Sequence, residues 1–161
     1  MSKITVEVSK QYDILVADNL LERTGEELRT RFPKARQIML VADDVVEGLY
    51  GGRVMTSLEM SGFTVHKYVF PHGETSKTFA TMIPLVERMA ELAMTRTDLI
   101  VALGGGVTGD MAGFAAAIYL RGIDFVQIEN LHLKYQSLNS FRLRKPLSLA
   151  WSFLKIFLQL Y

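Results

Sequence analysis

The feature that most constrains the fold is a run of apolar residues that leads directly into glycine. Leu99–Leu103 contains no polar side chain, and Gly104-Gly105-Gly106 follows it immediately. A strand without a polar face is typical of a parallel sheet that helices cover on both sides. The next segment, Val107–Leu120, consists mostly of small and apolar residues and is predicted to be helical. The chain is therefore predicted to contain a strand, a glycine turn and a helix within an α/β sheet.

The elements predicted before this unit alternate in the same way. Two short β-branched runs, Ile4–Val8 and Tyr12–Ala17, are separated by a polar turn and predict an N-terminal β-hairpin. Strands are then predicted at 37–42, 63–70 and 123–128, and helices at 19–31, 45–60 and 76–94. This order predicts an α/β fold with a Rossmann-like parallel sheet and helices on both faces.

Composition divides the chain near Ile128. All 12 glycines and all 8 methionines precede that residue, whereas residues 129–161 contain nine leucines and five lysines or arginines against one acidic residue. We predict an α/β domain over residues 1–128 that folds without the rest, and a divergent basic, leucine-rich tail of uncertain structure over 129–161. The tail fits a helix on a membrane surface, replacement packing for the sheet, or out-of-frame translation. We favour the last, because the change falls directly after a region of matching motifs, which is described below.

Charge and residue usage exclude several classes of function. The net charge of the 161 residues is +1, so no nucleic-acid or membrane partner is expected. The chain has no cysteine, which excludes disulfides and thiol catalysis and fits a reducing compartment. The charged N-terminus does not resemble a secretory signal, and no apolar run is long enough to span a bilayer. A cytoplasmic location is therefore expected.

The glycine turn is a candidate anion site. Glycines allow a close approach to the backbone, and the start of the following helix offers free N–H groups and the positive end of its dipole. Gly104, Gly106 and Gly109 also fit the spacing of a dinucleotide-binding turn. A bulky residue at Gly106 is expected to exclude phosphates, and to strain the turn if that residue needs positive φ. The spacing alone leaves open a turn that serves only helix–sheet packing.

A second candidate segment, Pro71–Lys77, lies between a predicted strand and a predicted helix. Ligands of open α/β sheets bind at such positions. Glu74 can accept hydrogen bonds from ribose hydroxyls, and Lys77 can bind a phosphate or a carbonyl. The alternative is a simple helix entry with Thr75 or Ser76 as the N-cap.

Three further charged residues lie where a ligand or a helix end would suit them. Asp43 follows a predicted strand and fits either ribose binding or helix capping. Asp110 fits a cap or a cofactor contact, and Arg121 fits a phosphate contact or a solvated helix end. No metal site is predicted, because metal-ligand spacing is absent among the histidines His66, His72 and His132.

Two separated motifs carry a family resemblance. The run Ala102–Ala116, continued by Tyr119–Gly122 and Phe125–Ile128, closely resembles 3-dehydroquinate synthase. The upstream pattern Pro71-x-Gly73-Glu74-x-x-Lys77 matches the same family in order and distance. The resemblance covers residues 1–128.

This resemblance implies an enzyme that uses NAD and a divalent metal, zinc or cobalt. Such enzymes convert a small sugar-acid phosphate, 3-deoxy-D-arabino-heptulosonate 7-phosphate, to 3-dehydroquinate and phosphate. The step belongs to the shikimate pathway to chorismate and the aromatic amino acids, and the family is homodimeric. It implies that Arg121 binds the substrate phosphate across the dimer interface. The residues that it assigns to NAD are Asp43, Glu74, Lys77, Gly105, Gly106, Val107 and Asp110.

The chain departs from the family after Ile128. The family continues with Pro-Thr-Thr-Leu-Leu and later adds an all-helical domain with a metal-binding Glu and two His, whereas this chain continues with Glu129. We therefore expect a partial synthase without catalytic groups or metal ligands of its own, inactive alone. The alternatives are a non-catalytic nucleotide-binding fragment and a related sugar-phosphate cyclase or polyol dehydrogenase.

Overall fold

The computed structural model describes residues 2–6, 12–17, 19–133 and 136–144, with side chains described over 19–129. The strands are β1 Ser2–Val6, β2 Tyr12–Ala17, β3 Gln37–Asp43, β4 Thr64–Phe70, β5 Leu99–Leu103, β6 Asp124–Leu133 and β7 Gln136–Arg144. The helices are α1 Thr24–Arg31, α2 Asp44–Val46, α3 Gly52–Met60, α4 Phe79–Glu91 and α5 Gly106–Ile118. A π-helical turn, Glu47–Gly51, joins α2 to α3. None of the helices in the described part of the chain has the length and apolar character needed to cross a membrane.

In the described residues, seven strands form one sheet in the order β1-β2-β7-β6-β5-β3-β4. The four strands β4, β3, β5 and β6 run parallel. The hairpin of β1 and β2 joins them through the antiparallel strand β7. The predicted parallel sheet and the N-terminal hairpin are confirmed.

The two faces of β3 explain why helices lie on both sides of the sheet. Met39 and Val41 point into a core with α4 and α5, whereas Ile38, Leu40 and Ala42 point into a second core with α1 and α3. All five are essentially inaccessible to solvent. Apart from Ala42, each of these buried side chains stabilises the fold by roughly 1.5–3 kcal/mol. The predicted Rossmann-like arrangement, with helices on both faces, is confirmed.

The entry to α4 differs from the predicted helix start. Glu74–Ser76 forms a separate 3-10 turn, and the N-cap of α4 is Thr78, whose Oγ1 accepts from the Thr81 amide at 3.3 Å. The Ser76 hydroxyl donates instead to the Pro71 carbonyl. Thr75 or Ser76 as the N-cap is therefore wrong, because the chain closes one tight turn before the helix begins.

The segment after Ile128 contributes strands to the sheet. β6 continues to Leu133, and β7 pairs with β6 on one side and with β2 on the other. Composition did not predict this, because basic and leucine-rich residues carry no information about strand register. The interpretations made for the apolar run 147–161 lie outside the described residues. The division of the chain at Ile128 stays a prediction.

Deleting residues 129–161 is expected to destabilise the remaining chain. The deletion removes β7, which would turn β6 into an open edge and leave the hairpin without its neighbouring strand. We expect a lower melting temperature and concentration-dependent aggregation for residues 1–128, measured by circular dichroism and light scattering beside the 161-residue chain. An unchanged melting temperature would instead support the prediction from composition, in which residues 1–128 fold without the tail.

Candidate functional site

The strands that follow β3 in sequence lie on opposite sides of it in the sheet. The chain passes from β3 to β4 on one side and then crosses to β5 on the other. Loops that leave such strands in opposite directions open a crevice at the carboxyl ends, where open α/β sheets bind ligands. Asp43 ends β3 and Gly104 follows β5, and the last paired residues, Ala42 and Leu103, are neighbours. The glycine turn after β5 and Asp43 therefore lie side by side at this crevice.

Gly104 is the residue that the turn itself requires. Its φ is +146°, and a Cβ there would lie 2.8 Å from Thr108 Oγ1. Its amide donates to the carbonyl of Ile128 at 3.0 Å, which ties the turn to β6. A side chain at this position would meet both backbone strain and a steric clash.

Gly105 and Gly106 differ from Gly104, because a Cβ on either would meet nothing within 4 Å. Both are exposed. Gly106 is the first residue of α5, and its φ is not positive. The condition for strain at Gly106, a positive φ, is therefore not met, and a side chain there is not strained. The open space lies above the first amides of α5, which lack intrahelical acceptors. Val107 packs partly against the core beneath.

Asp43 caps the helix that follows β3. Its Oδ1 accepts from the amides of Val45 at 3.1 Å and Val46 at 2.9 Å. The other oxygen, Oδ2, makes no hydrogen bond within the described part of the chain. The predicted alternatives are thus compatible, because one carboxylate oxygen serves the helix while the other remains available at the crevice.

Three of the predicted site residues, Lys77, Glu74 and Asp110, form one cluster of ion pairs. The side chain of Lys77 is 7% exposed, and Nζ lies 2.7 Å from Asp110 Oδ2 and 3.5 Å from Glu74 Oε1. Burial alone would lower the pKa of Lys77, but the hydrogen bond and charge of Asp110, with the charge of Glu74, outweigh it and raise that pKa. Asp110 is therefore the partner of a charged lysine, not a helix cap. The sequence did not predict this ion pair, because Lys77 and Asp110 are far apart along the chain.

A second link joins the loops that follow β3 and β4. The backbone amide and Nδ1 of His72 both lie 2.9 Å from Asp44 Oδ1. The hydrogen bond from His72 lowers the pKa of Asp44. Sequence reasoning singled out Asp43 and missed Asp44, although two consecutive acids at a strand end were a usable signal.

Gln127 and Gly109 bring α5 close to β6. A Cβ on Gly109 would lie 2.4 Å from Gln127 Nε2, so only glycine fits the present spacing. Gln127 is buried, and its Nε2 donates to Glu129 Oε1 at 2.7 Å. Sequence reasoning gave Gln127 no role, although a polar residue within a buried strand is a signal of a specific contact. The packing alternative for the glycine turn therefore holds at Gly109.

Comparison with known proteins shows that this chain is similar to 3-dehydroquinate synthases. The model of the 3-dehydroquinate synthase N-terminal region matches residues 67–135. The 3-dehydroquinate synthase of Lactococcus lactis subsp. cremoris (strain MG1363) is 45% identical over 117 residues, which cover 73% of this chain and 33% of that protein. The similarity therefore covers the N-terminal part of 3-dehydroquinate synthase.

Two solved structures share the fold of this chain. A 2-deoxy-scyllo-inosose synthase complexed with carbaglucose-6-phosphate, NAD+ and Co2+ is 25% identical, with a TM-score of 0.70 over 80% of this chain and 35% of that one. The 2-epi-5-epi-valiolone synthase from Streptomyces hygroscopicus subsp. jinggangensis 5008, with NAD+ and Zn2+ bound, is 27% identical, with a TM-score of 0.61 over 71% of this chain and 31% of that one. This chain spans about a third of the length of the curated synthases that it matches.

Arg121 lies away from the other residues that the family resemblance implies. It follows α5 at the edge where β6 begins, is exposed and has a φ of +64°. The 13 residues of α5 separate it from the glycine turn by about 20 Å. The structure therefore does not bring Arg121 to the crevice within one chain.

The divalent metal of the synthase family has no matching ligands in the part of the chain that the structure describes. No group of three or more His, Asp or Glu side chains there could hold a metal ion. His66 lies 3.0 Å from Gln37 Oε1, and His72 contacts Asp44. The side chain of His132 is outside the described residues.

Proposed function

We propose that this chain is the NAD-binding part of a 3-dehydroquinate synthase, a lyase that eliminates phosphate from 3-deoxy-D-arabino-heptulosonate 7-phosphate to form 3-dehydroquinate. The enzyme would serve the shikimate pathway of aromatic amino-acid biosynthesis in the cytoplasm. One observation carries the proposal: the glycine turn opens at the reversal point of a sheet whose sequence is 45% identical to a named synthase. The related cyclases of known structure share only 25–27% identity, which favours the synthase over a related cyclase.

The crevice would hold a dinucleotide. Its pyrophosphate would lie over Gly105 and Gly106 and accept from the first amides of α5, where the helix dipole favours negative charge. Asp43 Oδ2 would accept hydrogen bonds from ribose hydroxyls while Oδ1 keeps its cap. Val107 would form the apolar floor of the turn. When bound, NAD supplies a hydride acceptor that transiently oxidises one alcohol of the substrate.

Lys77 would act as a fixed cation beside the cofactor. Its raised pKa keeps the ammonium protonated at neutral pH, so it would donate hydrogen bonds and not remove protons. Asp110 and Glu74 would orient it, since both carboxylates lie within ion-pair distance. A ligand carbonyl or phosphate oxygen would take a remaining donor of Nζ.

The other properties of the complete enzyme need groups beyond this crevice. Arg121 would reach a substrate phosphate only from a second chain, which fits a homodimer. The zinc or cobalt ion of the family does not fit the described residues, so no step of the proposal passes through it. The second candidate is a non-catalytic nucleotide-binding fragment.

A polypeptide of residues 1–161 is expected to show no synthase turnover by itself. The described residues provide neither metal ligands nor, within one chain, a phosphate-binding arginine at the crevice. The measurement is phosphate release from the sugar-acid phosphate with NAD and zinc, with the Lactococcus lactis synthase as the positive control. Zinc-dependent release above a blank without protein would contradict this expectation.

Lys77→Ala is expected to weaken NAD binding about tenfold, which corresponds to about 1.4 kcal/mol. The change removes the buried ammonium and leaves Asp110 and Glu74 as unpaired acids near the cofactor. Lys67→Ala is the matched control, because Lys67 is an exposed lysine that pairs with Glu47 in the π-helical turn between α2 and α3. Calorimetric titration with NAD measures both. Equal affinities of the two variants would place Lys77 outside the cofactor site.

A further inference from the structure

A second cleft lies at the opposite edge of the sheet, where the parallel strands begin. Its volume is about 590 Å³, which is in the range of small-molecule sites. Arg29, Lys34 and Arg36 line it together with Gly62, Thr95 and Thr97. We propose that this cleft binds a small phosphorylated molecule that also carries hydroxyl groups, such as a phosphorylated sugar or polyol.

The charge of the cleft is unbalanced. Arg29, Lys34 and Arg36 form no ion pair with any acidic side chain in the described part of the chain. The nearby acid, Asp98, is buried, and its oxygens already accept from the amides of Arg36, Gln37 and Thr95 and from the Thr95 hydroxyl. Its two oxygens therefore accept four hydrogen bonds within the protein, and Asp98 forms no ion pair with the three cations. The three cations therefore remain available to a ligand that bears at least one phosphate.

Arg29 is already fixed in one position. Its Nε donates to the Ser61 carbonyl at 3.0 Å, and Nη1 donates to the Ala35 carbonyl at 2.8 Å. The guanidinium also lies 3.6 Å from the centre of the Phe63 ring. Nη2 makes no hydrogen bond among the described residues, and it lies 3.7 Å from the place of a Cβ on Gly62, at the wall of the cleft. A guanidinium that is already held in place and has free donors binds an oxyanion at low entropic cost.

The threonines indicate what else the ligand carries. Thr95 Oγ1 donates its hydrogen to Asp98 Oδ2 at 2.9 Å. In the 3.0 Å contact between Thr95 and Thr97, Thr97 is therefore the donor. Each hydroxyl has a single hydrogen, so Thr97 Oγ1 keeps only acceptor capacity. The cleft thus offers cations for a phosphate and one acceptor for a ligand hydroxyl.

The cleft is separate from the proposed NAD site. It lies beside Gln37 and Asp98, which begin or precede β3 and β5, whereas the glycine turn follows the far end of β5. The length of β3 places the two sites about 20 Å apart. Either proposal can therefore fail without the other.

The test is an NMR titration of the folded 161-residue chain with D-ribose 5-phosphate at constant ionic strength. We expect saturable shifts at the amides of residues 34–36, 62 and 95–97, and weaker binding of ribose and of inorganic phosphate. Arg36→Ala and Lys34→Ala, at exposed positions, are expected to weaken binding about tenfold each, since each removes one charge-assisted contact. Thr97→Val is expected to abolish the preference over inorganic phosphate.

Arg96→Ala is the matched control, because Arg96 lies between the two threonines but does not line the cleft. Its affinity, and that of Gly106→Val, are expected to equal that of the unaltered chain. The proposal is overturned by the absence of saturable shifts at the cleft, by equal affinity of Arg36→Ala and the unaltered chain, or by shifts restricted to residues 104–107. Equal binding of phosphate and D-ribose 5-phosphate would overturn the role of Thr97.

Discussion

Gly106→Val is expected to abolish NAD binding and leave the fold intact. The first residue of α5 does not have positive φ, and a Cβ there meets no protein atom within 4 Å. The valine side chain would therefore occupy the space over the helix start where the pyrophosphate would lie. We expect a loss of affinity of at least a hundredfold in calorimetric titration, with an unchanged melting temperature.

Two other glycines provide the controls. Gly52→Val introduces the same side chain at the start of α3, again with nothing within 4 Å, and is expected to bind NAD normally. Gly104→Val is expected to lower the melting temperature, because Gly104 has positive φ and lies against Thr108. If Gly106→Val binds NAD as the unaltered chain does, the glycine turn is a packing element and the site assignment is wrong.

Asp98→Ala is expected to destabilise the fold by roughly 3 kcal/mol, because it leaves several buried donors unsatisfied. Asp98 is 2% exposed and accepts four hydrogen bonds, two of them from the amides of Arg36 and Gln37 at the start of β3. It thereby fixes the start of β3 against the turn before β5. Chemical denaturation measures the loss, and Glu87→Ala, at an exposed acid, is the control that should change little.

The contribution of Asp98 also has a defined pH dependence. Burial alone would raise the pKa of Asp98, but the hydrogen bonds from Gln37, Thr95 and Arg36 outweigh burial and lower it. A lowered pKa stabilises the folded state at pH values above the ordinary carboxyl value of about 3.9, and this contribution is lost as pH falls through the folded pKa. The difference in unfolding free energy between the two chains should therefore be constant near neutral pH and shrink in acid. A difference that grows in acid would contradict this cause.

Local pattern was sufficient where one segment determines its own structure. The apolar run Leu99–Leu103 predicted a strand buried on both faces, and the glycines after it predicted the turn that opens α5. Asp43 was predicted at a strand end because the apolar run before it stops there. In each case the deciding residues are neighbours in sequence.

Sequence pattern was insufficient to predict contacts between segments that are distant along the chain. Lys77 and Asp110 pair across 33 positions, and Asp98 accepts from amides about 60 positions away. Neither contact leaves a periodic signal. β7 was missed for a similar reason, since its place between β2 and β6 depends on register. The conformation of Gly106 also required the structure, because glycine alone does not reveal the sign of φ.

We propose that this chain binds NAD at the carboxyl edge of its parallel sheet, over the glycine turn. The most direct measurement is an amide-resolved NMR titration of the folded 161-residue chain with NAD at millimolar concentration. The expected result is saturable shifts at residues 43–46, 77 and 104–110, with none at the cleft around residues 34–36. A folded chain without saturable shifts, or with shifts only away from the glycine turn, would contradict the claim.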